Sequence, residues 1–198
     1  MIKCILLDFD GTLVDSMKMH TKYAVYFIKK YKNMPEWMIR KKYLASAGLP
    51  FRYQLDLFFD DEKLKERIYN EYVEKVHAEL IKIPPYSDVK DGIEILKRKY
   101  TIAVTSGTKQ EFLEEYMSRY GLNPDIIMGF RPPEFEKSRH IEYLIEKYGF
   151  KRNEIIFVGD SPLDMKRAKE KGIYTAVSYT HLRAHETSLH LVCRLLLE

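Results

Sequence analysis

The sequence predicts a doubly wound α/β fold, a parallel sheet with helices on both faces, that carries a helical insert. Short apolar runs alternate with amphipathic helical patterns, which is typical of parallel strands joined by helices. Two of these apolar runs, near the start and near the end of the alternation, stop at an aspartate followed by a turn. The stretch 16–82 has no strand-like alternation and separates the first run from the others. These three observations predict a core interrupted by a second domain.

The strands and helices of the core follow from apolar runs and helical periodicity. The continuous apolar run 3–8 predicts a first strand that is buried on both faces. Gly149 and Gly172 end the last two helical patterns. Further strands are predicted at 101–105, 125–129, 154–158 and 173–177, and helices at 90–99, 110–119, 138–148 and 163–171.

The insert is predicted to be a small helical domain. Its clearest helix covers 62–81, where large side chains recur on one side. These are Leu64, Ile68, Tyr69, Tyr72, Val73, Val76 and Leu80. Two consecutive prolines, Pro84 and Pro85, stiffen the linker that returns to the core. The predicted division is a discontinuous core of residues 1–15 and 87–176 with an insert at 16–86.

The composition indicates an ordinary globular protein that is large enough to bury a sizeable core. Of 198 residues, 45% are apolar and 31% are charged, and the net charge is +4. The 33 basic and 29 acidic residues are mixed along the chain, so no nucleic-acid partner is predicted. No apolar run reaches membrane-spanning length and the start lacks a signal-peptide pattern, which predicts a cytoplasmic protein without a membrane partner.

Two aspartates at the end of the first predicted strand form the first candidate site. Asp8 and Asp10 stand two apart, and Gly11 breaks the strand directly after them, so both acids lie at its carboxyl end. Like charges this close repel by several kcal/mol at low dielectric unless a cation lies between them. The pattern indicates a metal-assisted nucleophile beside a proton carrier. A strand followed by a plain Asp-Gly turn is the alternative.

The same arrangement recurs about 150 residues later, in the segment 155–164. An apolar run ends before Asp160, and Asp164 lies in the opening turn of the next helix. Read with Asp8 and Asp10, three or four carboxylates converge on one edge of the sheet, which suits Mg²⁺. The alternative is that Asp160 or the serine after it only caps the helix.

Four motifs of the chain resemble those of the haloacid dehalogenase superfamily of phosphohydrolases. They are Asp8-Phe9-Asp10-Gly11-Thr12-Leu13, Val104-Thr105-Ser106-Gly107, Lys137, and Gly159-Asp160-Ser161-Pro162-Leu163-Asp164. They occur in the family's order and cover roughly residues 1–176. The resemblance is to the helical-cap subgroup of phosphoglycolate phosphatases and β-phosphoglucomutase-like proteins. It implies a Rossmann-like core and a mobile helical cap that closes over the active site and selects the substrate.

The resemblance also implies a Mg²⁺-dependent hydrolysis of a small organic phosphate monoester, such as phosphoglycolate or a sugar phosphate. Asp8 is then the nucleophile that forms an aspartyl-phosphate, and Asp10 the general acid/base. The implied metal residues are Asp8, Asp10, Asp160 and Asp164. Asp10 would contribute its main-chain carbonyl, while Asp164 would act through water or orient a cationic side chain.

The second and third motifs imply the contacts with phosphate. Ser106 and Gly107 are expected to hold phosphoryl oxygens, although Ser106 alternatively caps the helix that follows. Lys137 is expected to neutralise charge. Because the family usually shows proline after this lysine and the chain has serine, Arg131, Arg139 and a plain surface lysine remain alternatives.

In the insert, the segment 47–52 resembles the substrate-specificity loop of the family. Arg52 is expected to pair with an anionic group of the substrate that is remote from the leaving phosphate. The alternative is a surface arginine in the first turn of a helix. The expected partner is a small-molecule phosphate ester, and the protein is expected to be a monomer or a homodimer.

Two other functions remain open on sequence alone. A phosphomutase of the same subgroup often carries glutamate where Gly159 stands, so glycine favours hydrolysis. The second is a non-catalytic phosphate-binding module. Such a module needs no proton carrier, so the presence of Asp10 argues against it.

The final residues, from about 177 to 198, are predicted to be a non-native tail. The composition shifts abruptly there, and the segment holds three of the six histidines. The string resembles translated read-through of a transposase-type sequencing adaptor. It is therefore excluded from the fold and from the candidate site.

Overall fold

The computed structural model describes residues 1–131 and 137–178. The chain forms two compact units, one of Met1–Asp15 and the chain from Pro84 onward, the other of Ser16–Ile83. The predicted tail lies outside the described residues from position 179 on, whereas Val177 still belongs to the last strand. No helix within the described ranges combines the length and apolar character needed to span a membrane.

The larger unit is built on a five-stranded parallel sheet with strand order β3-β2-β1-β4-β5. The strands are β1 (Cys4–Asp8), β2 (Thr101–Lys109), β3 (Ile126–Phe130), β4 (Ile155–Gly159) and β5 (Tyr174–Val177). The central strand β1 is buried along its whole length, which is why its sequence is continuously apolar up to the aspartate. The predicted doubly wound α/β fold is confirmed.

Helices follow the strands in the alternation that the sequence indicates. Over the whole described chain they are α1 (Met17–Tyr31), α2 (Glu36–Ala45), α3 (Phe51–Gln54), α4 (Glu62–Leu80), α5 (Val89–Lys97), α6 (Gln110–Tyr120), α7 (His140–Tyr148) and α8 (Pro162–Glu170). In the larger unit, α6 packs on β2 and β3, and α8 packs on β4 and β5. Ile141 and Leu144 of α7 share a buried cluster with Leu6 and Phe157 of the sheet.

The strand order places the two aspartate-bearing strand ends side by side. From β1 the chain proceeds to β2 and β3 on one side, and β4 with β5 lies on the other. Leu7 of β1 pairs with Val158 of β4, and Asp8 pairs with Thr105 of β2. In open parallel sheets, ligands bind outside the carboxyl ends of the strands where the order reverses. The ends of β1 and β4 flank that position.

Strand β2 continues beyond its predicted end at residue 105. It runs to Lys109, which pairs with Phe130, and the register shifts between Thr105 and Lys109. An irregularity of this kind redirects the side chains next to it. Ser106, directly after the regular part, is fully buried.

The smaller unit is helical, and α1 packs against both α2 and α4. Helix α4 is capped at its N-terminus by Asp61, whose carboxylate accepts hydrogen bonds from the amides of the first turn. Six of the seven residues predicted to face one side of this helix are buried, and the exception is Leu64, which is half-buried while Lys65 is buried. Lys65 can be buried since its ammonium lies 2.5 Å from Asp56 Oδ1, and an ion pair lowers the cost of removing the charge from water.

Candidate active site

Asp8 is held at the carboxyl end of β1 with its carboxylate in a fixed orientation. Only 2% of its surface is exposed. Its Oδ1 accepts a hydrogen bond from the Phe9 amide at 2.9 Å and one from Lys137 Nζ at 2.8 Å. The Phe9 amide also donates to the Thr105 carbonyl oxygen at 3.2 Å. A buried carboxylate with fixed donors on one oxygen is suited to present its other oxygen to a reactant.

The turn after Asp10 requires glycine for two reasons. Gly11 has a φ of 78°, in the region that L side chains rarely adopt. A Cβ on Gly11 would also clash with the Asp160 carboxylate. The structure therefore brings Asp160, from the end of β4, directly against the turn that carries the first motif.

Asp10 and Ser106 are joined by a hydrogen bond. Ser106 Oγ donates to Asp10 Oδ2 at 2.9 Å, and the Thr108 amide donates to Ser106 Oγ at 2.9 Å. Ser106 does not cap the helix that follows, because α6 begins four residues later and is preceded by Lys109. The serine thus orients the side chain of Asp10 at the edge where Asp8 lies.

Lys137 is the cation that meets Asp8. Its Nζ lies 2.8 Å from Asp8 Oδ1 and 2.7 Å from Asp164 Oδ2, and its side chain is 10% exposed. Arg131 and Arg139, the two alternatives for this position, are exposed. Asp164 therefore orients a cationic side chain, which is one of the two arrangements expected for it.

Helix α8 holds Asp164 in place through its first turn. Ser161 precedes the helix, and its Oγ accepts a hydrogen bond from the Asp164 amide at 3.4 Å. Pro162 occupies the first helical position, where no amide donor is needed. Arg167 Nη1, one turn later, lies 3.9 Å from Asp164 Oδ1.

Burial and charge act in opposite directions at the centre of the site. Burial, with the nearby Asp164 and Asp160 carboxylates, raises the pKa of Asp8 from 3.8 to about 8, against the lowering effect of Lys137. For Lys137, burial disfavours the ammonium, but Asp8 and Asp164 outweigh it and raise its pKa above the ordinary value. Burial therefore favours the protonated form of Asp8, whereas Lys137 favours its carboxylate.

The four predicted metal residues lie at the ends of β1 and β4 and in the first turn of α8. Across 1–131 and 137–178, no three histidine, cysteine or acidic side chains are arranged to hold a metal ion. Lys137 lies between Asp8 and Asp164, and the Asp10 side chain accepts from Ser106. Asp8 and Asp160 remain as carboxylates at adjacent strand ends.

Arg52 lies in the helical unit, where two glutamates already engage it. Its Nη2 is 2.6 Å from Glu62 Oε2, and its Nε is 3.3 Å from Glu66 Oε2. An anionic substrate group would have to compete with both carboxylates for the guanidinium. The guanidinium of Arg52 is therefore already paired within the part of the chain that the structure describes.

Tyr116 of α6 was missed by sequence reasoning and lies close to the site. It is fully buried, its ring packs edge-on against Phe9 at 4.9 Å, and its pKa is raised by burial, by Tyr120 and by the charge of Asp10. Helical periodicity alone marks it as a core residue.

Because the pKa of Asp8 is raised, we expect the protein to lose stability as the pH rises when no divalent cation is bound. The unfolded chain releases this proton near pH 3.8, whereas the folded chain keeps it up to about pH 8. The contribution of the protonated carboxyl is thus complete below pH 3.8 and is lost as the pH rises toward 8. In a chelating buffer, the melting temperature of the wild type should fall between pH 5 and 8 relative to Asp8→Asn, by at least about 2–4 °C. Parallel curves for the two proteins would refute the raised pKa.

Comparisons with known proteins show which family the chain belongs to. The sequence model of the haloacid dehalogenase-like hydrolases matches residues 5–178. The pyrophosphatase PpaX of Halalkalibacterium halodurans is 26% identical over 191 residues, covering 89% of this chain and 83% of the relative. The phosphoglycolate phosphatase of Aliivibrio fischeri is 26% identical over 196 residues, covering 90% of this chain and 85% of the relative.

A solved structure supports the fold independently. CbbY from Rhodobacter sphaeroides, crystallised in complex with phosphate, superposes with a TM-score of 0.72 at 19% identity. The match covers 95% of this chain and 91% of that chain. With the family match over residues 5–178 and the acidic strand ends described above, the chain belongs to the haloacid dehalogenase-like hydrolases.

Proposed function

We propose that this hydrolase cleaves a small organic phosphate monoester through a covalent aspartyl-phosphate on Asp8, with Mg²⁺ as cofactor. The observation that supports this most strongly is the buried Asp8 carboxylate with the Lys137 ammonium 2.8 Å away. Attack of a carboxylate on a phosphate dianion brings two anions together, so the site must supply positive charge. The names of the relatives, phosphoglycolate phosphatase and pyrophosphatase, support a phosphate ester or anhydride as substrate.

In the first half of the reaction, a carboxylate oxygen of Asp8 forms a bond to phosphorus while the ester P–O bond breaks. Lys137 and the Phe9 amide hold Oδ1 of Asp8, which leaves Oδ2 to make the new bond. Asp10 donates a proton to the leaving alkoxide. The hydrogen bond from Ser106 to Asp10 Oδ2 fixes the orientation of this carboxyl group for the transfer.

In the second half, the ionised Asp10 takes a proton from a water molecule. The water oxygen forms a bond to phosphorus, the bond between phosphorus and Asp8 breaks, and inorganic phosphate leaves. Asp8 is again a carboxylate and Asp10 is again protonated, so the cycle is balanced. Lys137 supports both steps because its ammonium offsets charge beside the phosphoryl group.

The donors that remain at the strand ends fit Mg²⁺. Phosphatases of this family generally use Mg²⁺, an ion that is usually held by one or two carboxylates with water completing its shell. Asp8 and Asp160 are two such carboxylates, and the main-chain carbonyl of Asp10 is a third oxygen donor. Burial raises the pKa of Asp8, and the nearby Asp164 and Asp160 carboxylates raise it further. When bound, the ion would supply the positive charge that keeps Asp8 ionised at neutral pH.

The surroundings of Gly159 favour hydrolysis over a phosphomutase reaction. A Cβ at this position would lie 2.7 Å from the ring of Phe157 and 3.2 Å from the Cβ of Asp8. The glutamate that mutases of the subgroup often carry here would therefore displace its neighbours. The glycine at this position supports hydrolysis, in which phosphate is released rather than transferred to a second hydroxyl.

A comparison of substrates with and without metal tests the proposal. The chain should release phosphate from phosphoglycolate, sugar phosphates or pyrophosphate in the presence of Mg²⁺. Removal of the metal with EDTA should lower the rate by at least about 100-fold, and added Mg²⁺ should restore it. Absence of phosphate release from every substrate in the panel, with phosphate still bound, would indicate the non-catalytic binding module. Rearrangement of a sugar phosphate without phosphate release would indicate the mutase.

A further inference from the structure

His140 and Thr105 form a buried polar link beside the Asp8–Lys137 pair. His140 is 1% exposed, and its Nδ1 lies 2.7 Å from Thr105 Oγ1. Both partners are buried, so the hydrogen bond is shielded from water and costly to leave unmade. The sequence motifs assign no role to this histidine, which shows no metal-ligand spacing.

The threonine end of the link is fixed at the tip of the sheet. Thr105 pairs with Asp8 across β1 and β2, and its carbonyl oxygen accepts from the Phe9 amide at 3.2 Å. Ser106, which donates to Asp10, is the next residue. A group bound to the Thr105 side chain is therefore tied to the strand ends that present the two aspartates.

The histidine end of the link is fixed three residues after Lys137. His140 is the first residue of α7, and the short 3₁₀ turn Lys137–Arg139 precedes it directly. A lysine side chain is flexible, so its ammonium is placed accurately only if its backbone is anchored close by. The bond from His140 to Thr105 supplies that anchor.

The imidazole acts as a neutral hydrogen-bonding group. Burial, together with the positive charge of Lys137, lowers the pKa of His140 to about 3. The ring thus stays uncharged at neutral pH and does not compete with Lys137 for the carboxylates.

We propose that His140 is a positioning residue that holds the Lys137 turn against the tip of β2 through Thr105, so that the ammonium meets Asp8. This inference rests on the proposed function, in which Lys137 offsets charge during phosphoryl transfer. Since the link acts through Lys137, its loss should matter only while the lysine is present.

A double-mutant cycle on the full chain tests the inference. His140→Ala should lower kcat/KM for p-nitrophenyl phosphate by about 10- to 100-fold, as removal of an orienting group often does. In the Lys137→Met background the same change should cost less than about twofold. Thr105→Val, which removes the hydroxyl from the other end, should reproduce the effect of His140→Ala. His140→Asn, which keeps a polar atom near the position of Nδ1, should restore part of the rate.

Leu144→Ala provides the matched control for destabilisation. This residue lies on the same helix, is fully buried and makes no polar link among the described contacts. It should lower the melting temperature at least as much as His140→Ala while leaving kcat/KM within about threefold of the wild type. An equal loss from His140→Ala in both backgrounds, or a loss matched by Leu144→Ala, would overturn the inference. A wild type without activity would instead refute the proposed function itself.

Discussion

Asp8→Asn is expected to abolish phosphate release, with a loss of kcat of about 10⁴-fold or more. The change removes the carboxylate that forms the covalent bond to phosphorus, and no other step replaces it. The asparagine has nearly the same size, so the hydrogen bond from the Phe9 amide can persist. Steady-state rates with p-nitrophenyl phosphate in saturating Mg²⁺ measure the effect.

The melting temperature of the Asp8→Asn protein shows whether its loss of activity comes from the missing nucleophile or from unfolding. At pH 8 its melting temperature without divalent cation should be no lower than that of the wild type, because a buried charge has been removed. Asp91→Asn on α5 is the matched control, since Asp91 is an exposed aspartate of the same unit. It should retain activity within about twofold. Wild-type rates in Asp8→Asn would refute the nucleophile.

Asp10→Asn should produce a loss that depends on the leaving group. With an alkyl phosphate, whose alkoxide needs a proton, the rate of the first step should fall by about 10²–10⁴-fold. With p-nitrophenyl phosphate the leaving phenolate is stable without a proton, so the first step should fall far less. Rapid-quench measurement of the released alcohol and of p-nitrophenolate separates the two cases.

The second step provides a check on the same variant. Without the carboxylate of Asp10 no base activates water, so a phosphorylated enzyme should accumulate when p-nitrophenyl phosphate is used. Ser106→Ala, which removes the hydrogen bond to Asp10 Oδ2, should show the same leaving-group trend in weaker form. Equal losses for alkyl and nitrophenyl substrates would contradict a proton-transfer role for Asp10.

The fold could be predicted from the sequence because each core strand carries its own signal. In β1 all five residues are buried, so the apolar run marks the strand directly, and the aspartate marks its end. Gly149 and Gly172 have φ values of 72° and 71°, and the helices before them end where the sequence indicates. In this strand and at these two helix ends, the local sequence pattern favours the same structure that the tertiary contacts require.

The details of the site depend on contacts between distant segments, which local patterns do not encode. Lys137 could not be distinguished from Arg131 and Arg139, because nothing near it in sequence indicates that its ammonium meets Asp8, 129 residues away. The local pattern around Arg52 does not distinguish an anion receptor from a surface arginine in the first turn of a helix, because the glutamates that pair with it belong to the next helix.

Two further differences have the same origin. The continuation of β2 to Lys109 depends on pairing with β3 rather than on β-propensity. Burial of Lys65 depends on the carboxylate of Asp56, which lies in a short 3₁₀ turn before α4. In both cases tertiary contacts override the intrinsic preference of the segment.

Trapping of the covalent intermediate tests the central proposal most directly. Asp10→Asn enzyme would be mixed, in the presence of saturating Mg²⁺, with less than one equivalent of p-nitrophenyl phosphate. The reaction would then be quenched in acid, reduced with borohydride and analysed by peptide mass spectrometry. The mechanism predicts conversion of Asp8 to homoserine, in step with the p-nitrophenolate released. Release of p-nitrophenolate with Asp8 unmodified, or with the modification on another residue, would contradict it.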